Sequence, residues 1–388
     1  MKIFVAWDDL EQIDLMTLYL SNEDNELFTT TDAEEGYSTF SGQGGWDVAV
    51  ISVRLPDIDS GYNLFRRIRT LRPEVPVICG CNSEDIYRLA RFMVGGMKSY
   101  LLRDKNGDFL FLLSAMLESV VEWVRAEREQ TIAGKLREEV ESVRKIQETI
   151  IPKDVVPPKG YRVVACYEPS QVRVIGGQPV TMAGGDYYDF FTLPDDRCGI
   201  LIADVSGHGT PAAVVMAVLH SLAHMYPGDP MNPSLLLNHL NHHLTTRYTS
   251  ESGHFVTAFY GIYDDRTREL TFSSAGHNPP RLRHCGHQDV TALNHATSMP
   301  LGFMPDVTYQ NHTIVLRPGD RIVFYTDGIT EAANPGGELF GTDRLDQIVG
   351  CCHRDTQGSL DQVVTAVNEF THHVPPSDDR TLVIADVT

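Results

Sequence analysis

Apolar and polar positions follow two periods along the first hundred residues. Ile3–Trp7, Glu26–Thr30, Trp46–Val53, Val75–Cys79 and Tyr100–Leu102 are short apolar runs that read as strands. Leu10–Leu20, Tyr62–Leu71 and Ile86–Val94 place apolar residues at every third or fourth position, the period of a helix. Repeated strand–helix units predict a parallel, doubly wound α/β domain over residues 1–107, with any chemistry beyond the carboxyl ends of its strands.

From Phe109 to Ile150 the chain has no Pro, and Gly134 is its only Gly. Ile132, Leu136, Val140, Val143, Ile146 and Ile150 recur by fours and threes, the spacing of a coiled-coil seam, while Arg125, Glu127, Arg137, Glu138, Glu141 and Lys145 occupy other faces. A continuous helix here would be about 60 Å long and needs a partner surface. That surface is either a second copy, giving a parallel homodimer, or one of the chain's own domains. Residues 108–152 therefore read as a helical coiled-coil linker, ended by Pro152 and Pro157-Pro158.

Residues 153–388 carry many strands with helices in separate blocks, an α+β pattern. Strands are expected at Tyr161–Tyr167, Ala183–Phe191, Cys198–Val205, Val256–Tyr263, Glu269–Ala275, Pro280–Cys285, Thr313–Leu316, Arg321–Thr326 and Thr381–Ala385. Helices are expected at Pro211–Met225, Pro233–Tyr248, Asp343–Val349 and Ser359–Thr371.

A chain of 388 residues has room for two or three domains, and a net charge of −20 argues against a nucleic-acid-binding surface. No apolar run is long enough to span a bilayer, and the acidic turn after Met1–Trp7 does not suit a signal peptide, so a soluble, cytoplasmic protein with no membrane partner is expected. The seven cysteines include no CxxC pair. Cys351-Cys352-His353 lacks metal-ligand spacing and reads as a helix end, and His239, His242 and His243 lack the Glu of a zinc-protease helix, Leu240 standing in its place.

Acids at strand ends change the picture. Gly184-Gly185-Asp186-Tyr187-Tyr188-Asp189 precedes or enters one strand, and Asp204-Val205-Ser206-Gly207-His208-Gly209 ends another. Tyr325-Thr326-Asp327-Gly328 and Asp378-Asp379-Arg380-Thr381 lie at two more. Taken singly each is a plausible turn. Converged, their carboxylates repel and are costly to desolvate, so the site needs hard cations with oxygen ligands, Mg²⁺ or Mn²⁺. Several acids from distant segments suit a two-metal hydrolytic centre.

GGDYYD, DVSGHG, AGHNPP, YTDG and DDRT, in this order from about Gln147 to Thr388, resemble the SpoIIE/RsbU-type branch of the PPM metal-dependent protein serine/threonine phosphatases. The resemblance implies two stacked antiparallel sheets flanked by helices, with two Mg²⁺ or Mn²⁺ ions at one end. It implies that Asp204 bridges both ions, that the Val205 carbonyl and Asp186 serve one, and that Asp327 and Asp378 hold the other. Asp379 would be an outer support or hold a third ion, and Asp186 and Asp204 would be the catalytic pair. An activated water would attack phosphoserine or phosphothreonine in line, with no protein nucleophile. Asp189 is expected to cap or orient, His208 to support the Gly207/Gly209 turn or act as general acid, Ser206 to be a turn residue, and AGHNPP to be a hairpin. By the same resemblance the substrate is a phosphorylated STAS-domain anti-anti-sigma factor in bacterial partner switching. A non-catalytic scaffold is the alternative.

Asp8-Asp9 and the loop Arg54–Gly61 resemble a response-regulator receiver domain. In that family's pattern the phosphoacceptor position falls here on Ser52, the switch position on Cys81 and the lysine position on Arg103. A serine cannot form the acyl phosphate of an aspartate, so the resemblance implies a degenerate receiver used for docking or signal input. Asp57 or Asp59 as a substitute acceptor, which would make a true phosphorylated response regulator, is the rival reading.

Overall fold

The structure, a computed structural model, describes residues 1–21, 25–104, 108–152, 160–172, 180–250, 253–351 and 355–388. Pro157-Pro158, Cys352 and His353 lie outside them. The chain divides into two units, Met1–Gly134 and Lys135–Thr388.

The first unit runs β1 (Lys2–Ala6), α1 (Leu10–Leu20), β2 (Glu26–Thr30), α2 (Ala33–Gly42), β3 (Val48–Ser52), α3 (Ile58–Leu71), β4 (Val77–Asn82), α4 (Leu89–Val94), β5 (Ser99–Arg103) and the start of α5 (Phe109–Ile150). The strands are parallel in the order β2-β1-β3-β4-β5, an order found among doubly wound folds. Alternate residues feed opposite cores. Phe4, Ala49, Ile51 and Cys79 face α2, α3 and α4, whereas Ile3, Val5, Val50 and Ile78 face α1 and the first turns of α5. Helix α2 is absent from the expected elements because only Gly36 and Phe40 of its ten residues are buried. Its start is set locally, where Asp32 accepts the N–H groups of Glu34 and Glu35 at 2.9 and 2.8 Å.

Helix α5 is continuous over 42 residues, and the division between the units falls inside it. Ile132, Leu136 and Ile146 of the expected seam are exposed.

The second unit continues with β6 (Tyr161–Glu168), β7 (Gln171–Val172), β8 (Val180–Thr181), β9 (Tyr187–Leu193), β10 (Arg197–Val205), α6 (Thr210–His224), α7 (Pro233–Leu244), β11 (Val256–Asp264) and β12 (Glu269–Ala275). Then come β13 (Arg281–Arg283), β14 (Val290–Ala292), β15 (Thr297–Ser298), β16 (His312–Val315), β17 (Arg321–Tyr325), α8 (Asp327–Thr330), α9 (Gly341–Cys351), α10 (Thr356–Phe370) and β18 (Arg380–Val387). One sheet has the order β15-β12-β11-β10-β9 with β16 also on β12, and the other has the order β14-β13-β17-β18-β6. Ile200, Ile202, Phe259, Phe272, Phe324 and Val383 fill the space between the sheets. Helices α6 and α7 cover the first sheet through Leu201, Ala203, Met216 and Leu237. Helices α8 to α10 cover the second through Val323, Tyr325, Leu345 and Val363. Most strand bounds differ from the expected ones by a residue or two. The exception is β9, which starts at Tyr187, so Asp186 sits on the approach to the strand. AGHNPP is not a hairpin: β12 and β13 belong to different sheets, and this segment crosses between them.

Candidate metal centre

The two-residue period of a strand decides where each acid goes. On β10, Ile200 and Ile202 face the gap between the sheets, and Asp204 continues that face. On the approach to β9, Asp186 shares parity with Tyr188, which faces the same gap. Ile322 and Phe324 of β17, and Val383 and Ala385 of β18, line it from the other sheet, so Thr326 and Thr381 point into it as well. The ends of four strands thus meet at one end of the sandwich.

Asp186 is buried, and its Oδ2 accepts hydrogen bonds from the hydroxyls of Thr326 and Thr381, each at 2.6 Å. The Thr381 N–H in turn donates to Thr326 Oγ1 at 3.0 Å. Asp186 and Asp204 lie close enough for each to act on the other's charge. Burial, then the charges of Asp204 and Asp379, hold the Asp186 carboxyl well above the ordinary carboxylate range. Burial, then the charges of Asp327, Asp378 and Asp379, push Asp204 up to about 7. Asp327 is raised by burial and by Glu331, and Asp378 by burial and by Asp327 and Asp379. His208, exposed on its loop, offsets part of the charge at Asp378.

Asp379 is engaged differently. Its Oδ1 accepts the Ser170 N–H at 2.8 Å and its Oδ2 accepts the Gly185 N–H at 2.6 Å. A Cβ on Gly184 would lie 1.9 Å from Asp379 Oδ2, and one on Gly185 would lie 2.6 Å from the Val205 carbonyl oxygen. The glycine pair is therefore required for the approach of Asp186 to Asp204. Gln147, near the end of α5, grips the same loop: its Oε1 accepts the Gly184 N–H at 2.8 Å and its Nε2 donates to the Gly184 carbonyl at 3.1 Å. Gly207 and Gly209 have φ of 88° and 79°, a path that favours glycine and sharply turns β10 into α6.

This donor set suits hard divalent ions. Asp186 is buried, Asp204 and Asp327 are half-buried and Asp378 is exposed, with the Val205 carbonyl oxygen beside them, and the charges acting on Asp204 are those of other acids. A cleft of about 350 Å³ opens beside it, lined by Gly328, Glu331, Thr371, Ser377, Asp378 and Arg380. Arg380 is tied to Glu168 at 3.3 Å and Asn368 at 3.1 Å.

The remaining candidates lie elsewhere. Asp189 has the parity of Tyr187 and faces α6, away from Asp186; it accepts the Tyr187 hydroxyl at 2.6 Å. His277 of AGHNPP is buried, pairs with Thr257 Oγ1 at 2.9 Å, and is pulled down to about 3 by burial, so its ring is neutral. Ser206 Oγ accepts the Phe255 N–H at 2.9 Å, a turn role. The rings of His239 and His243 meet edge to face on α7, with centroids 4.4 Å apart. Among the described residues, the one group of three whose ligand atoms lie within 4.8 Å of one another is Asp189, His220 and His224.

In the first unit Ser52 ends β3 and is buried. Arg103 Nη1 donates to Ser52 Oγ at 3.1 Å and also pairs with Asp8. Asp9 caps α1, accepting the N–H groups of Glu11 and Gln12. Asp57 caps α3, and its hydrogen bonds from Ser60 lower its pKa. Cys81 is buried.

Thr326, Thr381 and Gln147 went unassigned in the sequence. The first two were accessible by parity, since each lies an even number of residues from an inter-sheet apolar position.

The pattern of the family described as Stage II sporulation protein E (SpoIIE) matches residues 194–388. Protein IcfG of Synechocystis sp. is 28% identical over 237 residues, 55% of this chain and 36% of IcfG. The phosphoserine phosphatase RsbU of Bacillus subtilis is 25% identical over 272 residues, 70% of this chain and 75% of RsbU. The chain thus spans about a third of the length of one curated relative and three quarters of the other. The solved SiaA-PP2C domain of Pseudomonas aeruginosa aligns with a TM-score of 0.55 at 20% identity, covering 66% of this chain and 98% of that domain, a likeness of fold.

Proposed function

The chain belongs to the SpoIIE family, and on that premise we propose that it is a metal-dependent protein phosphatase acting on phosphoserine and phosphothreonine. The observation that carries the reading is the group of raised-pKa aspartates from four separate segments at one end of the sandwich.

Asp186, Asp204, Asp327 and Asp378, with the Val205 carbonyl, would hold two Mg²⁺ or Mn²⁺ ions. Bound there, the ions supply Lewis acidity for activating a water and positive charge for the phosphoryl oxygens. The chain's own residues prepare this. Thr326 and Thr381 fix the Asp186 carboxylate from one side. Asp379 keeps the Gly184-Gly185 loop against β10 through its two backbone N–H partners and acts as a positioning residue. Asp204 gives up its proton as cations load, which makes loading easier as pH rises. The cleft beside Asp378 admits a phosphorylated side chain from a protein surface.

The name of RsbU, a phosphoserine phosphatase, supports this substrate class. A STAS-domain phosphoprotein is the proposed substrate. We assign residues 1–107 as a pseudo-receiver, on the pairing of Arg103 with Ser52 and Asp8, residues 108–152 as the coiled-coil linker and residues 153–388 as the phosphatase domain. The exposed Ile132, Leu136 and Ile146 of the α5 seam support a homodimer, and the grip of Gln147 on Gly184 gives α5 a route to the metal loop.

The test is hydrolysis of a chromogenic phosphate ester with Mn²⁺, wild type against Asp204→Asn. Turnover lost in the variant is expected. Equal turnover in both proteins rejects the assignment.

A further inference from the structure

We propose that Asp189, His220 and His224 form a second metal site, for one Zn²⁺ or similar first-row transition ion, on the face of the six-stranded sheet opposite the carboxylate centre. Asp186, on the approach to β9, shares the parity of Tyr188, which faces the gap between the sheets, whereas Asp189 shares that of Tyr187, which faces α6, so the two acids lie on opposite faces. His220 and His224 are four apart on α6 and project from one side of it toward Asp189.

His224 Nε2 is 2.6 Å from Asp189 Oδ2, and His220 Nδ1 is 3.7 Å from the same oxygen. Ligand atoms around a tetrahedral zinc with bonds of about 2.0–2.1 Å stand roughly 3.3 Å apart. Adjustments of less than about 1 Å therefore bring both pairs to ligand spacing. Half-buried His220 and exposed His224 leave the outer side open to a water as fourth ligand.

The surroundings have the outer support that such sites use. The Tyr187 hydroxyl donates to Asp189 Oδ2 at 2.6 Å, and the Phe190 N–H donates to Asp189 Oδ1 at 2.7 Å. Tyr187 is fully buried, so its hydroxyl is fixed. It also lies 2.9 Å from His220 Nδ1, a contact the ion would replace while the bond to Asp189 stays. Two imidazoles and one carboxylate select zinc-like ions, unlike the all-oxygen set between the sheets. A bound ion would clamp the last turn of α6 to β9, joining the two elements that flank the metal loop.

The test titrates the full chain with Co²⁺ in excess Mg²⁺ and reads the visible bands that nitrogen-ligated, low-coordinate Co²⁺ gives. One equivalent of bands, retained in Asp204→Asn and displaced by Zn²⁺, is expected. Both His220→Ala and His224→Gln should lose them, and Tyr187→Phe should weaken Co²⁺ binding at least about tenfold. His224 is exposed on a helix end, so its variant keeps the test independent of folding. Absence of bands in wild type, their persistence in both histidine variants, or their loss in Asp204→Asn alone overturns the proposal. No readout depends on turnover, so it stands or falls separately from the phosphatase reading.

Discussion

Asp204→Asn should make the metal-free protein more stable while abolishing its activity. The folded state holds the Asp204 pKa near 7, against 3.8 for the free side chain. Below pH 3.8 the acid is protonated whether folded or not, and it costs nothing. As pH rises toward 7 the unfolded chain releases the proton while the folded one keeps it, so stability falls by about 1.4 kcal/mol per pH unit. Above 7 the loss levels off at an upper bound of about 4 kcal/mol, which residual solvent contact lowers to about 2–4 kcal/mol. Asparagine removes the charge and still accepts a hydrogen bond. Denaturant titration in chelator at pH 5 and pH 8, followed by far-UV circular dichroism, measures the difference. The three tryptophans, Trp7, Trp46 and Trp123, all lie in the first unit, so their fluorescence is an internal reference. The expected gain for the variant is about 1–2 kcal/mol at pH 5 and a few kcal/mol at pH 8. A variant equally or less stable than wild type at pH 8, with no pH trend, would refute the electrostatic reasoning.

Thr326→Val removes one of the two hydroxyls on Asp186 and should weaken Mn²⁺ activation about 10- to 100-fold, read as the metal concentration for half-maximal turnover. Gln147→Ala frees Gly184 from α5 and should lower turnover several-fold with little change in the melting of the first unit. Acetyl phosphate should leave no base-labile phosphate on the full chain; label on Asp57 or Asp59 would end the pseudo-receiver reading. Leu136→Asp should halve the mass seen by light scattering, and a wild type already monomeric removes the coiled-coil dimer.

Strand and helix periods made the two classes of architecture legible in the linear chain, because burial on alternate or every third to fourth residue is a local property. That Asp186, Asp204, Asp327 and Asp378 stand at or beside strand ends was legible too, because each adjoins an apolar run in the sequence. Helix α2 was not, because its helix is held by a cap and two buried residues rather than by an apolar stripe. Three-dimensional packing alone decided which sheet face each acid occupies, that AGHNPP crosses between sheets, and that Asp379 anchors two N–H groups. It also brought His220 and His224 to Asp189, and Arg103 to Ser52. These contacts join residues far apart in sequence, so no local period encodes them; they exist only once two sheets and their helices share a core.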